Sequence, residues 1–279
     1  MAKHLETRIS DTLWRALQDR AETSGQSVSH IVQAALAEAL DVEHHSIFQV
    51  STSGAIVQGL FQGCVSVADL RRHGDLGLGT FEDLDGEMIL IDGHCYQARS
   101  DGTVVEAGDD ELTPFASVVS FAADEVHTLP TITTWDDFTR QMDQLLSSPN
   151  GIIAIRATGH FNTMQVRTAC KTDPGTDLVD AVANQAIFDF QDIEGSLVGF
   201  WSPEYAQAIS IAGYHVHFIS ADRKHGGHVL QLTAQDLPVE LHLVSDVHLA
   251  IPETEAFLTA DLTGDTTAAL ERAEHKEPS

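Results

Sequence analysis

Three Asp-Gly pairs stand close together: Asp85-Gly86, Asp92-Gly93 and Asp101-Gly102. Between them lie two short runs, EMILI and HCYQARS. Asp-Gly readily adopts the positive-φ turns whose twist matches that of paired antiparallel strands, so this spacing predicts a meander of hairpins. The β-rich region begins at IFQVSTSGAIVQG. Further along, IIAIRATG and TMQVRTA read as strands and VELHLVSDVHLAIP as a strand pair. TWDDFTRQMDQLLSS (134–148) is predicted helical, with Phe138, Met142 and Leu145 on one side and a break at Pro149, Asn150 and Gly151. A second helix is expected from Pro203, capped by Ser202, and a third over 266–274. The predicted class is α+β: a β-rich domain over 46–279 with mixed or antiparallel sheets, in subdomains of about 46–150 and 151–279.

The first forty residues read differently. LETRI (5–9) alternates like a strand, and Ser10 and Asp11 can cap a helix carrying Leu13, Trp14 and Leu17 and stopping at Gly25. Ser27 opens a second helix with Val28, Ile31, Val32, Ala35, Leu36 and Leu40 on one stripe. Strand, helix, glycine turn and helix over residues 1–41 resemble the ribbon-helix-helix fold. That resemblance implies pairing with a second chain, and in the family the paired strands enter the DNA major groove. Lys3, Arg8, Arg15 and Arg20 are offset by Glu6, Asp11, Asp19, Glu22 and Glu38, which leaves little charge to neutralise phosphates. The segment therefore reads as an oligomerisation device giving a homodimer or larger assembly. The alternative is a DNA-binding, autoregulatory protein whose remainder senses a metabolite. Residues 41–46, with His44 and His45, read as a polar linker.

The chain carries 42 acidic and 15 basic residues, a net charge of −27, which repels nucleic acid and anionic membranes overall. Cys64, Cys95 and Cys170 are odd in number and widely spaced, so a disulfide framework is not expected and a reducing cytoplasm is the simplest setting. No secretory leader pattern opens the chain, and no apolar run is long enough to span a membrane.

GYHVHFISADRKHGGHVL (213–230) concentrates the chemistry. On a strand, His215 and His217 share a face with Ile219, while Tyr214, Val216 and Phe218 take the other. ADRKHGG can turn the chain, Gly226 and Gly227 tightening the bend, so that His228 returns as a third nitrogen on the same face. Three histidines leave a coordination position open, as catalytic zinc sites do; a solvated His-x-His strand is the competing reading. His225 falls in the polar turn, and His242 and His248 have no third partner nearby. Gly74, Gly77 and Gly79 read as tight turns leading to Thr80, because their spacing does not fit a dinucleotide loop. Cys170 lacks a neighbouring histidine and reads as buried rather than nucleophilic.

Several long stretches resemble the alpha-acetolactate decarboxylase family: HGDLGLGTFEDLDGEMILIDGHCYQARSDG (73–102), VRTACK around Arg167, EGSLVGFWSPEYA (194–206), AGYHVHFISADRKHGGHVL (212–230) and FLTADL (257–262). The resemblance runs from about Ile47 into the C-terminal tail. It implies decarboxylation of 2-acetolactate to (R)-acetoin and CO2, with Zn2+ on His215, His217 and His228. It further implies active-site roles for Thr80, Glu87 and Arg167, and for a C-terminal glutamate, Glu274 being the best match and Glu271 its competitor. Loss of CO2 from a 2-hydroxy-3-keto acid leaves an enediolate, whose charge a Lewis acid can spread and which a glutamic acid can protonate.

Overall fold

Asp92 and Gly93 take φ of 52° and 79° and close a two-residue hairpin, the turn their chemistry favours. The protein, seen in a computed structural model that describes residues 5–40, 45–146, 148–173, 176–264, 267 and 269–270, builds its first sheet around that hairpin. Two helices come first, α1 (Asp11–Ser24) and α2 (Val28–Leu40). Then follow β1 (Ser46–Val50), α3 (Ser53–Val57), β2 (Val65–Ser66), α4 (Val67–His73), β3 (Leu76–Thr80), β4 (Glu87–Ile91), β5 (His94–Ala98), β6 (Val104–Glu106), β7 (Leu112–Thr113) and β8 (Phe115–Val119). The remainder comprises β9 (Glu125–Ile132), α5 (Trp135–Asp143), β10 (Ile152–Thr168), α6 (Leu178–Ala183), β11 (Ala186–Ser202), β12 (Gly213–Ser220), β13 (Gly226–Val244), β14 (Asp246–Ala250) and α7 (Glu255–Thr259).

Seven strands form the first sheet in the order β14-β1-β8-β3-β4-β5-β6, antiparallel except for the β1–β14 pair. The second sheet runs β10-β11-β12-β13-β9, and a further β10–β13 pairing curls it closed. Each sheet takes one strand from the other half of the chain: β14 joins the first and β9 the second. Side-chain alternation makes the layers. From β4, Ile89 and Ile91 face the second sheet and pack with Val198, Phe200 and Ile219, whereas Met88 and Leu90 face away and pack with Val67 and Leu70 of α4. Val216 and Phe218 point inside the curled sheet, where Phe138 and Met142 of α5 cover part of it. The Thr134 hydroxyl caps α5 by accepting from the Asp137 N–H at 3.1 Å.

Several expectations change. Leu5–Ile9 is not a strand within this chain, since a ribbon strand needs a partner strand and none pairs with it among the described residues. Ser10 does cap α1, and Gly25 ends it in the left-handed conformation. Gly77 and Gly79 are not turns: they lie inside β3, where a Cβ would run into the carbonyl oxygens of Ser117 and Phe115 on β8. IIAIRATG and TMQVRTA merge into one strand, β10. The predicted helix from Pro203 is a single 3-10 turn with no side-chain cap. VELHLVSDVHLAIP does not pair with itself; it passes from β13 in one sheet to β14 in the other. His45 is no exposed linker residue but is buried at 1% exposure. No helix among the described residues is long and apolar enough to cross a membrane.

The close β3–β8 approach gives a stability prediction. Gly79→Ala should destabilise the fold by about 1–3 kcal/mol, because the added methyl meets backbone that cannot move aside. Denaturant unfolding checks this, and an unchanged midpoint would contradict it.

Candidate metal centre and cavity

Residues 215–219 begin from strand parity. β12 lies between β11 and β13, so His217 is paired with Val198 on one side and with His228 on the other. His215 lies two residues back on the same face. The ring centroids are 5.0 Å apart for His215–His217, 5.2 Å for His215–His228 and 5.4 Å for His217–His228. One nitrogen from each ring lies within 4.8 Å of the others, and all three residues are buried. Gly226 and Gly227 belong to β13 rather than to the turn. Gly227, at φ 151°, lets the strand pass against the Arg167 carbonyl, where a side chain would collide. His225 stays in the turn between the strands and packs near Phe190.

The donor set suits a divalent ion. His217 Nδ1 lies 2.8 Å from the Met88 carbonyl oxygen. A carbonyl only accepts, so Nδ1 carries the proton and Nε2 keeps its lone pair toward the cluster. Burial first, and the Arg167 charge second, push the His215 imidazole down to about 3 from its ordinary value, so it stays neutral and available as a ligand. Three imidazoles converging on one point, each held by a strand, are a donor set that divalent transition metals take.

The cavity beside the histidines brings together the sequence-predicted residues that the structure describes, except His217, which lies outside its lining. Thr80, Glu87, Arg167, His215 and His228 all line it. Glu87 opens β4 directly opposite Thr80 of β3. Its Oε1 accepts from the Ala169 N–H at 3.1 Å, and its Oε2 lies 3.5 Å from His217 Nε2. The Thr80 hydroxyl donates to the Gly86 carbonyl at 2.8 Å, tying down the backbone just before Glu87. Arg167 is paired with His228 across β10–β13, is 5% exposed, and donates from Nη1 to Gln185 Oε1 at 3.2 Å. Glu274 and Glu271 lie outside the described residues.

Sequence reasoning missed the rest of the lining. Gln185 stands at the end of α6 and orients Arg167. Ile56, Phe115, Leu178 and Leu270 form an apolar wall. They come from four distant segments, and no local pattern marks them as neighbours. Cys170 is half-buried, its thiol donating to the Asn184 carbonyl at 2.8 Å, and it does not line the cavity.

Comparison with known proteins agrees with this geometry. A family model described as alpha-acetolactate decarboxylase matches residues 47–264. The chain is 37% identical over 237 residues to the alpha-acetolactate decarboxylase of Bacillus licheniformis, covering 84% of this chain and 94% of that protein. It is 36% identical over 259 residues to that of Methanosarcina mazei, covering 91% of this chain and 88% of that protein. The crystal structure of alpha-acetolactate decarboxylase from Bacillus subtilis superposes with a TM-score of 0.80 at 36% identity, covering 83% of this chain and all of that one.

Removing one imidazole should empty the cluster. After loading with a divalent metal ion, His217→Ala should hold one equivalent less per chain, measured by elemental analysis, with the fold retained by circular dichroism. An undiminished metal content would refute the assignment.

Proposed function

The chain belongs to the alpha-acetolactate decarboxylase family, and on that premise we propose that it converts 2-acetolactate to (R)-acetoin and CO2 with zinc held by His215, His217 and His228. The observation that carries this reading is a cluster of three buried imidazoles, two of which line one cavity with a buried guanidinium and a carboxyl group. Bound there, a zinc ion would supply Lewis acidity toward the substrate's hydroxyl and keto oxygens and so ease departure of CO2.

The chain's own residues do the remaining work. Arg167 offers a planar fork to the substrate carboxylate and keeps a positive charge beside the oxygens that become negative. As the C–C bond to the carboxylate breaks, its electron pair passes into the enediolate. A proton must then reach the carbon that lost CO2. Glu87 is proposed to deliver it, and its contacts support this: the Ala169 N–H holds Oε1, leaving Oε2 on the side of the histidines. Delivery from one fixed direction gives one hand of product. Thr80 acts as a positioning residue through its bond to the Gly86 carbonyl. The apolar wall of Ile56, Phe115, Leu178 and Leu270 suits the substrate's methyl groups and excludes water. Glu274, with Glu271 as the competitor, is proposed as the second carboxyl of the site.

The N-terminal helices are proposed to assemble two or more copies. Leu13, Trp14, Leu36 and Leu40 are exposed in the single chain, although helical spacing groups them as an apolar stripe. The enzyme is placed in the cytoplasm, in keeping with three free cysteines.

Purified, zinc-loaded protein given racemic acetolactate should release acetoin and CO2; a folded, loaded sample yielding neither would sink the proposal. Glu87→Gln should lower kcat by about 10²–10⁴-fold with zinc content unchanged. A turnover close to the original would remove Glu87 from proton delivery. Deleting residues 1–41 should lower the assembly mass by light scattering while turnover per site persists, and an unaltered mass would refute the assembly role.

A further inference from the structure

A second group of ligand side chains lies apart from the cavity. His30 of α2, His45 immediately before β1 and Asp124 immediately before β9 each place one ligand atom within 4.8 Å of the others, the same criterion that the catalytic histidines meet. His30 and His45 are 4% and 1% exposed, and the Asp124 side chain 9%. The three come from the N-terminal helices, the start of the first sheet and the loop between the sheets, so nothing local explains their convergence.

We propose that His30, His45 and Asp124 form a second, structural metal site that takes zinc and clamps the N-terminal helices onto the β domain. The Asp124 carboxylate is divided between two tasks. Its Oδ2 accepts from the Leu243 N–H at 2.9 Å, while its Oδ1 is buried without a hydrogen-bond partner. A buried carboxylate oxygen with no hydrogen-bond partner is unfavourable unless something positive meets it. His45 Nδ1 lies 2.8 Å from the Leu243 carbonyl, so it carries the proton and Nε2 is the ligating nitrogen. His242 Nδ1 is bound in the same way to the Ala122 carbonyl at 2.7 Å, and its ring stacks on that of His45 with centroids 4.7 Å apart. His242 thus holds His45 in place.

His30 supplies the third ligand. Its Nδ1 is buried without a hydrogen-bond partner, and its Nε2 lies 3.0 Å from the amide nitrogen of Gln26. With the Gln26 amide turned so that its oxygen faces Nε2–H, Nδ1 presents a lone pair to the cluster. The His30 and His45 rings already touch, with centroids 3.8 Å apart. Two imidazoles and one carboxylate match the borderline softness of zinc, whereas calcium and magnesium favour all-oxygen sites. His45 also holds a φ of 57°, a costly backbone state for a residue with a Cβ, and its carbonyl accepts from the N–H groups of Ser245 and Asp246. The strained turn thereby aims the imidazole at α2.

The test measures zinc per chain on the full-length protein after chelator stripping, reloading with Zn2+ and desalting. The original chain should hold two equivalents, His217→Ala one, His30→Ala one, and the double variant none. His30→Ala should decarboxylate acetolactate at close to the original rate, because His30 does not line the cavity. The two sites are thus read independently: loss of all zinc in His217→Ala, or two equivalents retained in His30→Ala, would overturn the second site without touching the first. Cobalt substitution of the His217→Ala protein provides a check that does not depend on activity. Visible bands of low-symmetry Co2+ should appear there and vanish in the double variant, and their absence from His217→Ala would also refute the site. Asp124→Asn, which can still accept from the Leu243 N–H, should lose the same single equivalent; full retention would count against the carboxylate as a ligand.

Discussion

The hydrogen bond from His217 Nδ1 to the Met88 carbonyl ties the two sheets together at the point where the chemistry sits. Met88 belongs to β4 and His217 to β12, so the bond crosses between layers that share an apolar core, with Arg156–Asp92 and Ala169–Glu87 as further polar links. It fixes the tautomer of a ligand, and it fixes the height of β4 above the histidine face. Glu87 is the next residue along β4. Its distance from His217 therefore depends on the same contact, and so does the position of Thr80 across the β3–β4 ladder. A sliding of β4 by one residue would exchange Ile89 and Ile91 for Met88 and Leu90 on the inner face and carry Glu87 out of the cavity.

Local chemistry made much of the fold legible. The Asp92-Gly93 hairpin, the Ser10 cap, the Gly25 stop and the Phe138–Met142 stripe each follow from one residue's conformational preference or from a short period. What could not be read was long-range pairing. Nothing within VELHLVSDVHLAIP states that its two halves part company, because the partner of β14 is β1, some two hundred residues earlier. The glycines of β3 misled for a related reason. Glycine marks either a bend or a close approach, and only the neighbouring strand β8 decides which.

The site divides along the same line. Parity alone put His215 and His217 on one face, and the hairpin return nominated His228; longer family motifs were needed to add Thr80, Glu87 and Arg167. Gln185 and the apolar wall were invisible, since each contributes a single ordinary residue to a shared space. His45 and His242 were undervalued for a physical reason. Sequence neighbours suggested a linker for His45 and a strand position without a third partner for His242, but both imidazoles are buried, with Nδ1 held by backbone carbonyls that come from elsewhere in the fold.

His217, His45 and His242 share one device. In each, a main-chain carbonyl takes the Nδ1 proton, which turns a flexible imidazole into an oriented donor. The surroundings then separate their uses. His217 stands beneath a cavity with an acid and a guanidinium on its walls, so an ion beside it can be reached by substrate. His45 packs against His30 of α2 and faces a carboxylate with one bare oxygen, so an ion there would join α2 to the β domain. Zinc sites divide in that respect: some carry chemistry, and others join segments that would otherwise separate. In a chain whose N-terminal helices bury little of their own surface, α1 having no buried residue at all, such a joint supplies holding energy that packing does not.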